Sequence, residues 1–148
     1  MADVRFAATI AVVGLVVAGC GGSSGSKRPF ASTVNAICAN TSRSLAAVPA
    51  IGGTLAKLAL DINDQLPIYE KQLTQLSALQ APASEESTYA KALSSARTDV
   101  MLLHQLYRAA RARNARKVHA IALDGGSAYS VAGTAMRSIG LTRCANSL

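Results

Sequence analysis

Apolar residues in this chain recur in steps of three and four along almost its whole length, and nowhere do they alternate. From Phe30 they fall at Phe30, Val34, Ile37, Cys38, Thr41, Leu45 and Val48. That spacing lays one stripe along a helix, with Pro29 tolerated in its first turn and Pro49 ending it. After Gly52-Gly53 the stripe resumes at Leu55, Leu58, Ile62, Leu66, Tyr69, Leu73, Leu76 and Leu79. Pro67 falls inside this second segment, and the register survives across it, so a kinked single helix is expected. Gln80-Ala81-Pro82-Ala83 reads as a loop. Ser84 followed by Glu85 and Glu86 then supplies a capping hydroxyl and acids where the helix dipole favours them.

A third stripe runs through Tyr89, Leu93, Ala96, Val100, Leu103, Tyr107 and Ala110 to about Arg113, and a turn is expected near Asn114. The fourth carries Val118, Ala122, Gly125, Tyr129, Ala132, Met136 and Ile139 on one side. Gly125-Gly126 weakens it and marks where a bend or break is expected. Ile139-Gly140-Leu141 has the form of a glycine C-cap with an apolar residue just beyond. Short connections make successive helices antiparallel neighbours. The expected fold is therefore an all-α, up-down four-helix bundle over residues 29–148.

The amino-terminal residues obey a different rule. Met1 to Arg5 is followed by an uncharged apolar run from Phe6 to Val17, shorter than the ~20 residues a membrane-spanning helix needs but of the length of a signal-peptide core. It ends in Val17-Ala18-Gly19-Cys20, and Gly21-Gly22-Ser23-Ser24-Gly25-Ser26 follows as a flexible stretch. Charge, apolar run, small pair and Cys together resemble the lipobox of bacterial lipoproteins. The resemblance implies a signal peptide at 1–19, a diacylglycerol on the thiol of Cys20, acylation (typically palmitate) of the new amino terminus, and a tether over 20–28. Such a protein is exported and held on the outer face of the plasma membrane by its acyl chains, two chains anchoring stably where one does so marginally.

With Cys20 taken by lipid, Cys38 and Cys144 remain, near the two ends of the folded part. Beyond the membrane two thiols are expected to pair. A bridge closing so long a loop restrains the unfolded chain by roughly 4 to 5 kcal/mol. The rival, a metal site, finds no CxxC and only His104 and His119 to complete it. An up-down bundle brings the start of its first helix and the end of its fourth to one pole, as this bridge requires.

The wider pattern is Asn35-Ala36-Ile37-Cys38, the leucine run ending at Ala81-Pro82, Tyr89 opening the next helix, and Gly140-Leu141-Thr142-Arg143-Cys144. It is similar to small uncharacterised helical lipoproteins of actinobacteria and their relatives. That likeness implies a fold and an address and carries no activity.

Signatures of catalysis are sparse. GxSxG, HExxH, P-loop and CxxCH motifs are missing, as is any Glu-x-x-His pair of the di-iron kind. Asp61, Asp64 and Glu70 are spaced like a solvated face, and three Met make no copper site. No catalytic, cofactor or metal residue is assigned. Charge is the one feature above background. The chain carries +7, and Arg5 and Asp3 cancel within the signal, so the excess belongs to the folded part. Between Asp99 and Asp124 there is no acid, while Arg108, Arg111, Arg113, Arg116 and Lys117 surround the junction of the third and fourth helices.

A solvated basic loop is the plain account of that cluster. The functional one is attraction to phosphate-bearing wall polymers, acidic lipid head groups or an acidic protein. Nucleic acid is not expected outside the membrane, and no aromatic residues interleave for base stacking. The sequence thus points to an envelope binding or structural module. Its alternative is a small-ligand carrier or enzyme with a site between the helices.

Overall fold

The computed structural model describes residues 27–49 and 53–146. The expected signal peptide and lipobox, with Cys20, lie outside them. Four α-helices follow in order: α1 (Lys27–Ala46), α2 (Leu55–Ser77), α3 (Glu86–Arg111) and α4 (Ala115–Ser138), with a short 3-10 turn at Cys144–Asn146. Each helix packs on its neighbour in sequence, α3 most extensively on α4 and then on α2. The fold is an all-α four-helix bundle, as the stripes predict.

Both helices run on through their interrupting residues, α2 as the single helix expected across Pro67. Pro67 lies within an unbroken α2, and Gly125-Gly126 within an unbroken α4. The break allowed for at Gly125-Gly126 in α4 is not there. Burial of Ile121 on one side of the glycines and Ala132 and Met136 on the other holds both halves to α3, and tertiary packing outweighs a propensity cost of about 1 kcal/mol per glycine.

Helix ends follow backbone arithmetic. Thr54 and Asn114 cap α2 and α4, their side chains accepting from the amides of Lys57 at 3.3 Å and Lys117 at 3.0 Å. At α3 the expected Ser84 cap is replaced by Glu85, which makes no side-chain capping bond. Its carboxylate pairs instead with Lys27 on α1 at 3.3 Å. Helix α4 closes on Gly140 in the left-handed region (φ 78), with the Leu141 amide reaching back to the Met136 carbonyl at 2.9 Å. Leu141 is then fully buried, so the expected glycine cap and its apolar partner are both present.

The core lies toward one pole. Phe30, Val34 and Cys38 from α1 meet Leu76 from α2, Tyr89, Leu93 and Ala96 from α3, Ala132 and Met136 from α4, and Leu141 and Cys144 behind it. Phe30 and Tyr89 meet edge to face at 5.0 Å between centroids, and the Tyr89 hydroxyl donates to the Leu76 carbonyl at 2.9 Å. Burial pushes the Tyr89 phenol up to about 12. Cys38 and Cys144 form a disulfide here, with Cα atoms 5.1 Å apart. Gln72 is buried beside it, its amide nitrogen 3.3 Å from the Cys38 sulfur.

Closure of the bundle depends on a glycine. A Cβ on Gly133 would stand 2.8 Å from the Ala145 carbonyl oxygen, so only a bare backbone lets the 3-10 turn lie against α4. The turn in turn touches α1, and the disulfide completes the ring.

Candidate functional site

Antiparallel packing places the α3–α4 junction at the pole opposite the disulfide. Arg108, Arg111, Arg113, Arg116 and Lys117 are all exposed there, and none forms an ion pair among the described residues. The structure therefore brings the five predicted cations together around one turn. Two local devices shape it. Arg113 takes the left-handed conformation (φ 52), and the Asn114 amide reaches back to the Ala109 carbonyl at 3.0 Å, which stops α3. The Asn114 side chain then starts α4 at once. Arg111 is held over the Tyr107 ring, 5.7 Å from its centroid, with its nitrogen 3.4 Å from the hydroxyl.

Arg43 in the last turn of α1 adds to the same end of the bundle. Of the acids of α2, Asp61 and Asp64 lie in the half of the helix that starts at this end, with no ion pair among the described residues. Glu70 is drawn away to His104 on α3, 2.8 Å from Oε1 to Nε2, and Asp64 stays exposed in the run toward it. His104 is thus a half-buried pairing residue, and His119 is exposed. Among the described residues no three His, Cys, Asp or Glu side chains gather as a metal site would need. Nor is any described helix long and apolar enough to cross a membrane.

A second feature lies between two helices, where the alternative reading expects a site. Between α3 and α4, midway along the bundle, lies a slot of about 310 Å³ lined by Asp99, Leu102, Leu103, Leu106, Ile121 and Tyr129, with Gly125 and Gly126 as part of its wall. A Cβ on Gly125 would touch the Asp99 Oδ1 at 3.5 Å. Burial raises the Asp99 carboxyl to about 6. The Tyr69 phenol on α2 is raised by its own burial, then by the Asp99 charge and by Tyr129. The signal available in the sequence was an acid three residues after Ala96 and four before Leu103, inside an apolar stripe.

No family model, curated protein or solved structure matches the chain.

Proposed function

We propose that this protein is a lipid-anchored module of the cell envelope that binds an anionic partner through the pole formed at the α3–α4 junction. The observation that carries the reading is the set of exposed cations at that pole, free of ion pairs among the described residues and gathered by an αL turn and an Asn cap. Side chains without acidic partners keep their field for an outside ligand. The disulfide supports an oxidising compartment, since such bonds persist outside the cytoplasm.

The sequence supports the anchor through Val17-Ala18-Gly19-Cys20 and the Gly/Ser stretch behind it. Helix α1 begins at the disulfide pole, so a tether entering at Lys27 leaves the basic pole facing outward. A partner beyond the protein's own membrane fits that direction, and a phosphate-bearing wall polymer fits the charge.

The test is binding of the full-length protein to wall fractions as a function of salt, with Arg111→Gln, Arg113→Gln and Arg116→Gln combined. A cation near an anionic surface contributes on the order of 1 kcal/mol, so the triple variant should bind roughly a hundredfold more weakly at low salt and the difference should shrink as salt rises. Equal binding would leave the cluster as solvated surface. In parallel, Cys20→Ala should move the protein to the soluble fraction, and membrane retention would refute the anchor.

A further inference from the structure

Three departures from ordinary bundle sequence meet at one place. Two successive glycines occupy the middle of α4, where each costs about 1 kcal/mol relative to alanine. An aspartate sits in the apolar stripe of α3 directly opposite, its Oδ1 where the Gly125 Cβ would be met. Among the described residues that carboxylate has no hydrogen bond or ion pair, although it is half-buried. Sequences that break local rules together tend to do so at working sites.

The space the glycines leave is about 310 Å³, room for roughly ten waters at ~30 Å³ each and at the lower end of small-molecule sites. Its walls are leucine and isoleucine side chains, and its polar groups are one carboxyl and the Tyr129 ring with its hydroxyl. An anion would meet Asp99 without a compensating cation. A neutral apolar molecule would cover the carboxyl and leave it unpaired, which is costly.

We propose that this slot binds a small amphipathic amine, with its apolar body against Leu102, Leu103, Leu106 and Ile121 and its protonated nitrogen on the Asp99 carboxylate. The site is independent of the basic pole. The raised Asp99 pKa fits it, because a bound cation returns the desolvated carboxyl to its ionised form. The titratable groups facing Asp99 are Tyr69 from α2 and Tyr129 from α4, and the Tyr69 phenol, raised by burial, stays protonated near neutral pH. Amine binding therefore tightens as pH rises through about 6 and Asp99 ionises.

Amide chemical-shift titrations of the full-length protein with 2-phenylethylamine, 2-phenylethanol and 3-phenylpropionate at about 1 mM test the assignment. The amine should shift the amides of Asp99, Leu102, Gly125 and Gly126, the alcohol should bind more weakly, and the carboxylate should leave them still. Asp99→Asn should weaken the amine roughly tenfold to a hundredfold, the range expected for a charged hydrogen bond. Gly125→Leu, which puts a side chain where the nitrogen would lie, should abolish the shifts. Equal binding of amine and alcohol, an amine response unchanged in Asp99→Asn, shifts elsewhere in the bundle, or none at all would each overturn the proposal. The comparison of the three probes on the unmodified protein needs no variant to fold.

Discussion

The two ends of this bundle are built from the same helices by opposite means. At the disulfide pole every helix contributes an apolar side chain to one point, and Val34, Cys38, Leu76, Met136, Leu141 and Cys144 are sealed from solvent. Toward the basic pole α1 drops out, since its buried residues end at Thr41, and the remaining contacts are made mostly by α2, α3 and α4. Ala59, Ile62, Leu66, Ala109, Ala110 and Ile121 are buried there but lie outside the main core, while Leu60 and Leu123 are about two-thirds exposed at 66% and 65%. The most fully buried side chains gather where the chain is closed, and the cluster of cations without ion pairs lies where it is not. A surface meant for ligands is commonly drawn from the less stable part of a fold.

The largest test of that contrast is removal of the staple. Replacing Cys38 and Cys144 by Ala should cost roughly 4 to 5 kcal/mol, since the bridged residues are 106 apart in sequence and the unfolded chain regains that loop. Denaturant titration measures it, and a loss under ~1 kcal/mol would mean that packing alone closes the bundle. Next, Met136→Ala at the closed pole should cost about 2–5 kcal/mol, whereas Leu103→Ala on the slot wall, already half open to solvent, should cost less than half as much. Equal losses would erase the distinction between the closed core and the slot wall.

A sharper form uses one substitution with two signs in one helix. Gly133→Ala drives a Cβ against the Ala145 carbonyl and should destabilise by about 1–3 kcal/mol. Gly126→Ala meets nothing within 4 Å and should stabilise by up to about 1 kcal/mol.

The smallest effect is in pH. The folded pKa of Asp99, about 6, lies above its unfolded value of 3.8, so the folded state holds the proton more tightly. Its contribution to stability is full below pH 3.8 and is lost as pH rises through 6. Asp99→Asn should remove that decline, leaving the variant relatively more stable at pH 7 than at pH 4. A parallel pair of curves would show that the carboxyl is as well solvated folded as unfolded.

How much of this was legible follows the range of the forces involved. The stripes, the glycine cap at Gly140 and the pairing of Cys38 with Cys144 could be read because period, cap geometry and chain topology are local or nearly so. The start signal at Ser84 falls one residue short of the actual cap, Glu85, whose carboxylate pairs with Lys27 on another helix, a contact that local sequence does not carry. Gly125-Gly126 reads as a weak point in sequence, and the burial of Ile121, Ala132 and Met136 that holds α4 to α3 on both sides depends on tertiary packing. Gly133 gave no sign of its role, which depends on where the chain after α4 folds back. The basic cluster was plain as composition. That its members are gathered by Arg113 in an αL turn was not, since glycine is the residue that ordinarily marks that turn.

The order of synthesis gives the disulfide a further meaning. Helix α1 is made first, yet its docking on α2 includes polar side chains such as Gln72 and Thr41, and its bond to the rest of the protein needs a cysteine that lies beyond α4. Until that cysteine arrives, the Cys38 thiol is unpaired, a chemical target for any other thiol or oxidant it meets. Oxidation then ties the first described helix to the last segment of the bundle across 106 residues of sequence.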